Sequence, residues 1–296
     1  MGRARRGTSQ GVMRMAEVFM MRAFGACEQG GNPAGVVLDA AGFEPADMQK
    51  IAAAVGASET AFVCPSERAD VRLRFFTPLE EVPLCGHATV AAFALMFERN
   101  VLSAGEYRQE IGAGVLPVRV YADGRVKMSQ ARPVFGEFVR RADAAAVLGC
   151  AEELLVGLPP QIVSTGLRDV FVAIRDRAAL LALQPDFAAM SRLNAETNSL
   201  GFHVYTRDTI SPLAAAHCRN FAPLVGIEEE AATGSASGAL AALLFARGAA
   251  GPVQEFEQGH AIGAPSSIRA ELELQGEEIA GVGVSGTACF AGVRCV

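Results

Sequence analysis

The chain has 296 residues, room for two domains of ordinary size, each with its own core. Hydrophobic residues make up 51% and charged ones 20%, a globular rather than a disordered balance, and the net charge of -6 argues against a nucleic-acid partner. No apolar run approaches the ~18 residues that a membrane span needs, so no membrane partner is expected. The seven cysteines are scattered, odd in number and never spaced C-x-x-C, which suits a reducing, cytoplasmic setting. Residues 1–14 carry Arg3, Arg5, Arg6 and Arg14 with no apolar stretch of signal-peptide length behind them, and read as a disordered tail.

Alternation from Ala16 to Phe24 predicts an opening strand, Gly30-Gly31-Asn32-Pro33 a turn, and Ala34 to Leu38 a second strand. Pro45 near the start and Gly56 past the end bracket a helix over Ala46 to Val55. Strands follow at Thr60 to Val63 and Val71 to Phe76, then an apolar helix from Gly86 to about Arg99, then strands at Val115 to Tyr121 and Arg125 to Ser129. The second half repeats the order loosely. Strands are expected near Gln161 to Ser164 and Val170 to Ile174, and a helix around Asp186 to Leu193. Strands near Gly201 to Thr206 and Cys218 to Phe221 lead to a second apolar helix from Gly234, and strands from Ser267 to Leu274 and at the C-terminus close the chain.

The two apolar helices look like one device used twice. Gly86-His87-Ala88-Thr89 and Gly234-Ser235-Ala236-Ser237 each open at a glycine, become rich in Ala and Leu, and end in Phe (Phe97 and Phe245). Each follows carboxylates: Glu80 and Glu81 before the first, Glu228, Glu229 and Glu230 before the second. A helix start presents unpaired N–H groups and a partial positive charge, so two of them aimed at one cleft would hold a small anion. A helix apolar all round must be surrounded, and strands are what is available to surround it. The expected fold is therefore α+β, made of two similar halves, each with short strands wrapped around one apolar helix. Residues 15–129 form the first domain and 130–286 the second, with a strand at 287–296 returning to the first.

Six segments carry a resemblance to a known family. They are Gly31-Asn32-Pro33-Ala34-Gly35, Ser58-Glu59-Thr60-Ala61-Phe62, Arg74-Phe75-Phe76-Thr77-Pro78, Leu84-Cys85-Gly86-His87-Ala88-Thr89, Arg219-Asn220-Phe221-Ala222-Pro223 and Ala232-Thr233-Gly234-Ser235, with Gln258-Gly259 a weaker match. In this order, over nearly the whole chain after residue 15, the sequence resembles the phenazine-biosynthesis-like (PhzF-like) isomerases, relatives of diaminopimelate epimerase. The resemblance implies two similar domains, each a strand barrel around a central helix as in diaminopimelate epimerase, with the active site in the cleft between them, a homodimer and no cofactor.

Taken alone, Glu59 reads as a solvated loop residue and His87 as a helix cap. The resemblance instead makes Glu59 the proton-transferring carboxylate and His87 a pocket residue that assists it. A carboxylate in an apolar cleft is expected to have its pKa raised, which suits proton shuttling near neutrality. The matching residues around Gly86, Gly234 and Ser235 bind a substrate carboxylate, and Asn32 and Ser58 stand beside them. Glu230 takes the third catalytic position, but it departs from the pattern. The family places Asp-Pro where this chain has Glu230-Ala231, which moves a carboxylate by about a bond length. Cys85 matches one thiol of the two-base epimerases, whereas Ala231 stands where the second would be.

Gly281 to Gly286 spells G-x-G-x-x-G, yet it lies too near the chain end for a βαβ unit. The four histidines show no metal-ligand spacing, so no metal is expected. The expected function is cofactor-free isomerisation of a small carboxylated substrate by acid–base catalysis at Glu59. Two alternatives remain: an amino-acid epimerase or racemase using Cys85, and a non-catalytic binding protein of the same fold.

Overall fold

A computed structural model describes residues 15–26 and 29–296. The expected tail at 1–14 lies outside the described residues. The first half runs β1 (Glu17–Ala23), β2 (Asn32–Val37), α1 (Pro45–Val55), β3 (Glu59–Cys64), β4 (Val71–Phe76), β5 (Glu81–Val82), α2 (Gly86–Glu98), β6 (Gly105–Ile111), β7 (Gly114–Val120) and β8 (Val126–Gln130). Next come β9 (Val134–Phe138), α3 (Arg141–Leu148), β10 (Gln161–Ser164), β11 (Arg168–Ala173), α4 (Arg177–Leu181), α5 (Phe187–Thr197), β12 (Gly201–Thr206) and β13 (Ala216–Ala222). β14 (Ile227–Glu230), α6 (Gly234–Ala246), β15 (Val253–Gln258), β16 (Ser266–Gln275), β17 (Glu278–Gly286) and β18 (Ala288–Cys295) complete the chain.

The architecture is α+β, in two similar halves, each a set of strands wrapped around one apolar helix. α2 packs against β1, β2, β3, β7, β8 and β18, and α6 against β10, β15, β16 and β17. Residues 87 to 96 of α2 are all buried, as are Gly234 and residues 236 to 244 of α6. Neither helix has a polar face, so each is stable only inside a jacket of strands. Fully enclosed side chains such as Phe93, Leu95 and Leu240 contribute about 1.5–3 kcal/mol each by leaving water. One continuous apolar cluster takes in residues of both helices.

The last strand reaches back across the whole chain. β18 pairs antiparallel with β1, setting Met20 opposite Gly292, while β1 also pairs with β2. β17 pairs with β8, so hydrogen bonding runs unbroken from one half to the other. Residues 281 to 286 lie inside β17, bonded on both sides, which disposes of the glycine pattern as a nucleotide loop. α1 follows the predicted punctuation: Pro45 stands in its first turn, and Gly56 (φ 65°) donates its N–H to the Ala52 carbonyl at 3.0 Å.

Several elements have weak patterns and were not among the expected ones. β6 carries Glu106, Arg108 and Glu110 between half-buried residues, and it becomes a strand by pairing along its whole length with β7. β9 is mostly exposed and rests on β10 alone, and α3 is a short, weakly amphipathic run. Tertiary pairing overrides local propensity in each case.

Candidate active site

β2 and β3 lie side by side and parallel, with Ala34 opposite Glu59, so Asn32 and Glu59 start neighbouring strands at the same end of the sheet. The turn into Asn32 needs glycine: Gly31 has φ 92°, and a Cβ there would stand 2.7 Å from the Ala23 carbonyl oxygen. α2 begins at Gly86 and puts His87 in its first turn. From the other half, Glu230 closes β14, which is anchored to β13 by a buried bidentate pair. In it, Arg219 Nε and Nη2 donate to Glu229 Oε1 and Oε2 at 2.9 and 2.7 Å. Such a fork fixes orientation as well as charge.

These residues meet around one imidazole. His87 Nε2 lies 3.1 Å from Glu59 Oε2 and 3.1 Å from Ser58 Oγ, while Nδ1 faces Glu230 Oε1 at 3.7 Å. Asn32 Nδ2 donates to Glu230 Oε1 at 2.8 Å and to the Ala232 carbonyl at 3.2 Å, bridging the two halves, and stands 3.3 Å from His87 Nδ1. Thr233 Oγ1 donates to Glu230 Oε2 at 2.6 Å. The contact between His87 and Glu59 is a close charge contact between an imidazole nitrogen and a carboxylate oxygen. Glu59 Oε2 is buried and accepts no hydrogen bond from any described residue. A buried carboxylate oxygen without a donor is rare and costly, and it is free to take a proton from whatever enters.

The electrostatics correct one expectation. Burial does push the Glu59 carboxyl up, but His87 beside it, with lesser help from Ser58 and Cys85, outweighs burial and leaves it below the usual carboxylate range. Burial likewise disfavours charge on His87, yet Cys85 and Glu59 raise it well above the ordinary histidine value. The Cys85 thiol is itself pushed up by burial, against the pull of His87. The Glu230 carboxyl is raised by burial, against the pull of His87 and the hydrogen bonds from Thr233 and Asn32. One imidazolium thus stands between an ionised carboxylate and a second carboxyl with a greater hold on its proton.

Glu59, Cys85 and His87 also bring three metal-ligand atoms within 4.8 Å of one another. Cys85 Sγ is nearly equidistant from the two ring nitrogens, at 3.6 and 3.9 Å. It therefore lies off the direction in which either nitrogen's lone pair points, and the trio does not form a ready tetrahedral set.

Of the residues singled out from sequence, Asn32, Ser58, Glu59, His87 and Glu230 come together in direct contact. Gly86 sits beside His87 at the start of α2, its Cα side packed toward Met128. Gly234 and Ser235 begin α6 just past Thr233, and their carbonyls accept from Gln130 Nε2 at 2.9 Å and Thr165 Oγ1 at 3.2 Å. The carboxylates before the two helices are not equivalent. Glu81 is taken by Arg74 at the surface, at 2.7 and 2.6 Å, and only Glu230 reaches the site. In the sequence Thr233 and Gln258 are members of short motifs with no role of their own. Their part in holding Glu230 emerges from contacts across the fold, although two polar residues fixed at a helix start and a strand end were a signal.

Two strand-wrapped helices with an acid–imidazole–acid group beside them give a site able to move protons, and the chain's relatives place it among isomerases. The description "Phenazine biosynthesis-like protein" matches residues 21–292, and the chain belongs to that family. It is 37% identical to an uncharacterized isomerase of Deinococcus radiodurans, covering 96% of this chain and 95% of that one. It is 34% identical to a trans-2,3-dihydro-3-hydroxyanthranilate isomerase of Pseudomonas aeruginosa, over 88% of this chain and 92% of the other. Among solved structures, a phenazine biosynthesis protein of the PhzF family from Bacillus anthracis superposes with a TM-score of 0.88 at 31% identity, covering 96% of this chain and 99% of that one.

Proposed function

We propose that the protein shifts a proton within a small carboxylated substrate, using its own side chains and no cofactor. Glu59 is the base. It is held ionised by His87, whose Nε2 lies 3.1 Å from its buried Oε2, and beyond that contact no described residue donates to this oxygen, which is the observation that carries the reading. His87 stabilises the enolate-like charge that forms when Glu59 takes the proton, acting as a fixed, buried cation. The starts of α2 and α6 suit the substrate carboxylate, since first-turn amides lack partners within their own helix. The named substrate of the Pseudomonas relative is itself a carboxylate, in keeping with this class. The Glu230-Ala231 departure leaves that particular compound as one candidate among small acids.

A two-thiol racemase gains no support: Ala231 fills the second position, and burial holds the Cys85 thiol protonated. The absence of a membrane-length helix among the described residues fits a cytoplasmic enzyme. The homodimer that the resemblance implies is supported by exposed Val134, Phe135 and Phe138 on the edge strand β9.

The test is proton exchange. Small carboxylic acids, including trans-2,3-dihydro-3-hydroxyanthranilate, are incubated with the protein in D2O and followed by NMR. The wild type is expected to incorporate deuterium into a turned-over acid. Glu59→Gln is expected to lose this by about 10²–10⁴-fold, the scale of general acid–base catalysis, while remaining folded. Undiminished exchange in a folded Glu59→Gln protein rejects the assignment.

A further inference from the structure

We propose that Gln258 and Thr233 are positioning residues for Glu230: the buried amide sets which way the Thr233 hydroxyl points, and the hydroxyl in turn aims the Glu230 carboxylate at His87. This rests on the placing of Glu230 in the active site. Gln258 ends β15 and is wholly buried. The residue after it, Gly259, has φ 80°, and a Cβ there would lie 2.2 Å from the Ala264 carbonyl oxygen and 2.7 Å from that of Ala231. Glycine is what lets the chain turn directly against the segment that leads into α6.

All three hydrogen bonds of the Gln258 amide go to that segment. Oε1 accepts from the Thr233 N–H at 3.2 Å, while Nε2 donates to the Glu230 carbonyl at 2.7 Å and to Thr233 Oγ1 at 3.0 Å. The amide cannot be turned over, because that would set its oxygen against a carbonyl and its NH2 against an N–H. Since Nε2 donates to Oγ1, the one hydroxyl proton of Thr233 is released toward Glu230 Oε2, 2.6 Å away. Asn32 covers the other oxygen from the first half, at 2.8 Å. Each oxygen of a largely buried carboxylate therefore has one assigned donor, and only the one from Thr233 depends on a residue that never touches the carboxylate.

The chemistry makes a sharp contrast available. In Thr233→Val the hydroxyl is gone and the shape is kept, whereas Thr233→Ser keeps the hydroxyl. In Gln258→Glu the group at position 258 can accept but not donate, so the Thr233 proton is drawn to it and away from Glu230. The readout is the titration of Glu230 by ¹³C NMR of carboxyl-labelled glutamate, with the resonance assigned by its loss in Glu230→Gln. Thr233→Val is expected to raise the Glu230 midpoint by about one pH unit, a tenfold gain in proton affinity. Gln258→Glu is expected to raise it in the same direction although Thr233 is intact, and Thr233→Ser to leave it at the wild-type position. A folded Thr233→Val protein with the wild-type midpoint overturns the proposal, as does a folded Gln258→Glu protein whose midpoint does not move. If Gln258→Glu fails to fold, the Thr233→Val and Thr233→Ser pair decides alone. No substrate enters the experiment. A midpoint that responds to Thr233→Val in a protein whose exchange survives Glu59→Gln supports the positioning pair and rejects the proposed reaction.

Discussion

Glu230→Asp isolates what the extra methylene does. Shortening the side chain by one C–C bond draws the carboxylate back about 1.5 Å. The contacts from Asn32 and Thr233, now 2.8 and 2.6 Å, would open to roughly 4 Å, beyond hydrogen-bond reach. Each is a bond to a carboxylate, worth about 1.5–3 kcal/mol, and water entering the gap returns part of that. A net loss of about 1–3 kcal/mol of stability follows, which lowers the melting temperature by about 2–5 °C in a chain of this size. The loss in rate is larger than position alone suggests, because His87 loses the partner on its Nδ1 side. A displacement of more than 1 Å in the site predicts about a hundredfold slower exchange, equivalent to about 2.7 kcal/mol in the barrier. Deuterium incorporation and calorimetry measure the two effects independently. A Glu230→Asp protein that exchanges at the wild-type rate and melts at the wild-type temperature refutes the argument, and would mean that the backbone is not matched to the longer side chain.

Three further outcomes are expected. His87→Gln should cost most stability between pH 4.5 and 6.5. The Glu59 share of the ion pair is present above about 4.5 and fades as pH falls through its depressed folded value, whereas the His87 share is complete below 6.5 and fades as pH rises through its elevated one. Equal stability gaps at pH 5.5 and pH 10 in thermal melts would contradict this. Asp169, raised to about 7 by burial and by Glu230 against a hydrogen bond from the Gly201 N–H, loses the folded state stability as pH climbs from 3.8 through 7. Asp169→Asn keeps an acceptor for Gly201, so its melting temperature should gain on the wild type across that interval, and a constant difference would count against the burial of a charge there. Gly259→Ala forces a side chain into positive φ and against two carbonyl oxygens; urea titration should show at least about 2 kcal/mol of destabilisation, and a neutral result would mean the turn relaxes freely.

The apolar helices were legible because burial on all sides erases periodicity and leaves runs of Ala and Leu that nothing but a surrounding core explains. Strands such as β4 and β12 were legible from apolar density, whereas β6 and β9 were not, since their side chains are half in water and only a neighbour makes them strands. The site divides the same way. Glu59, His87 and Glu230 stand out through the family resemblance of their short motifs, since residue type alone reads Glu59 as a loop carboxylate and His87 as a cap. The protonation of those groups was not found, because it is set by a residue on another element: Asn32 and Glu230 are 198 positions apart, and Ser58 and His87 are 29.

Burial alone would make Glu59 a weak acid holding a proton, and that is what an apolar cleft suggests when seen without His87. An imidazolium 3.1 Å away reverses the sign, because a nearby opposite charge stabilises the ionised form by more than this partial burial penalises it. On the far side of the same ring, Glu230 stands at 3.7 Å, deeper in its surroundings, and burial prevails over the identical imidazolium. Two chemically equal carboxyls therefore differ in proton affinity because the ring stands closer to one and burial outweighs it at the other. A difference of that kind lets one carboxylate accept a proton while its counterpart retains one, and its Glu59 side is lost if His87 is replaced by any side chain that cannot be charged.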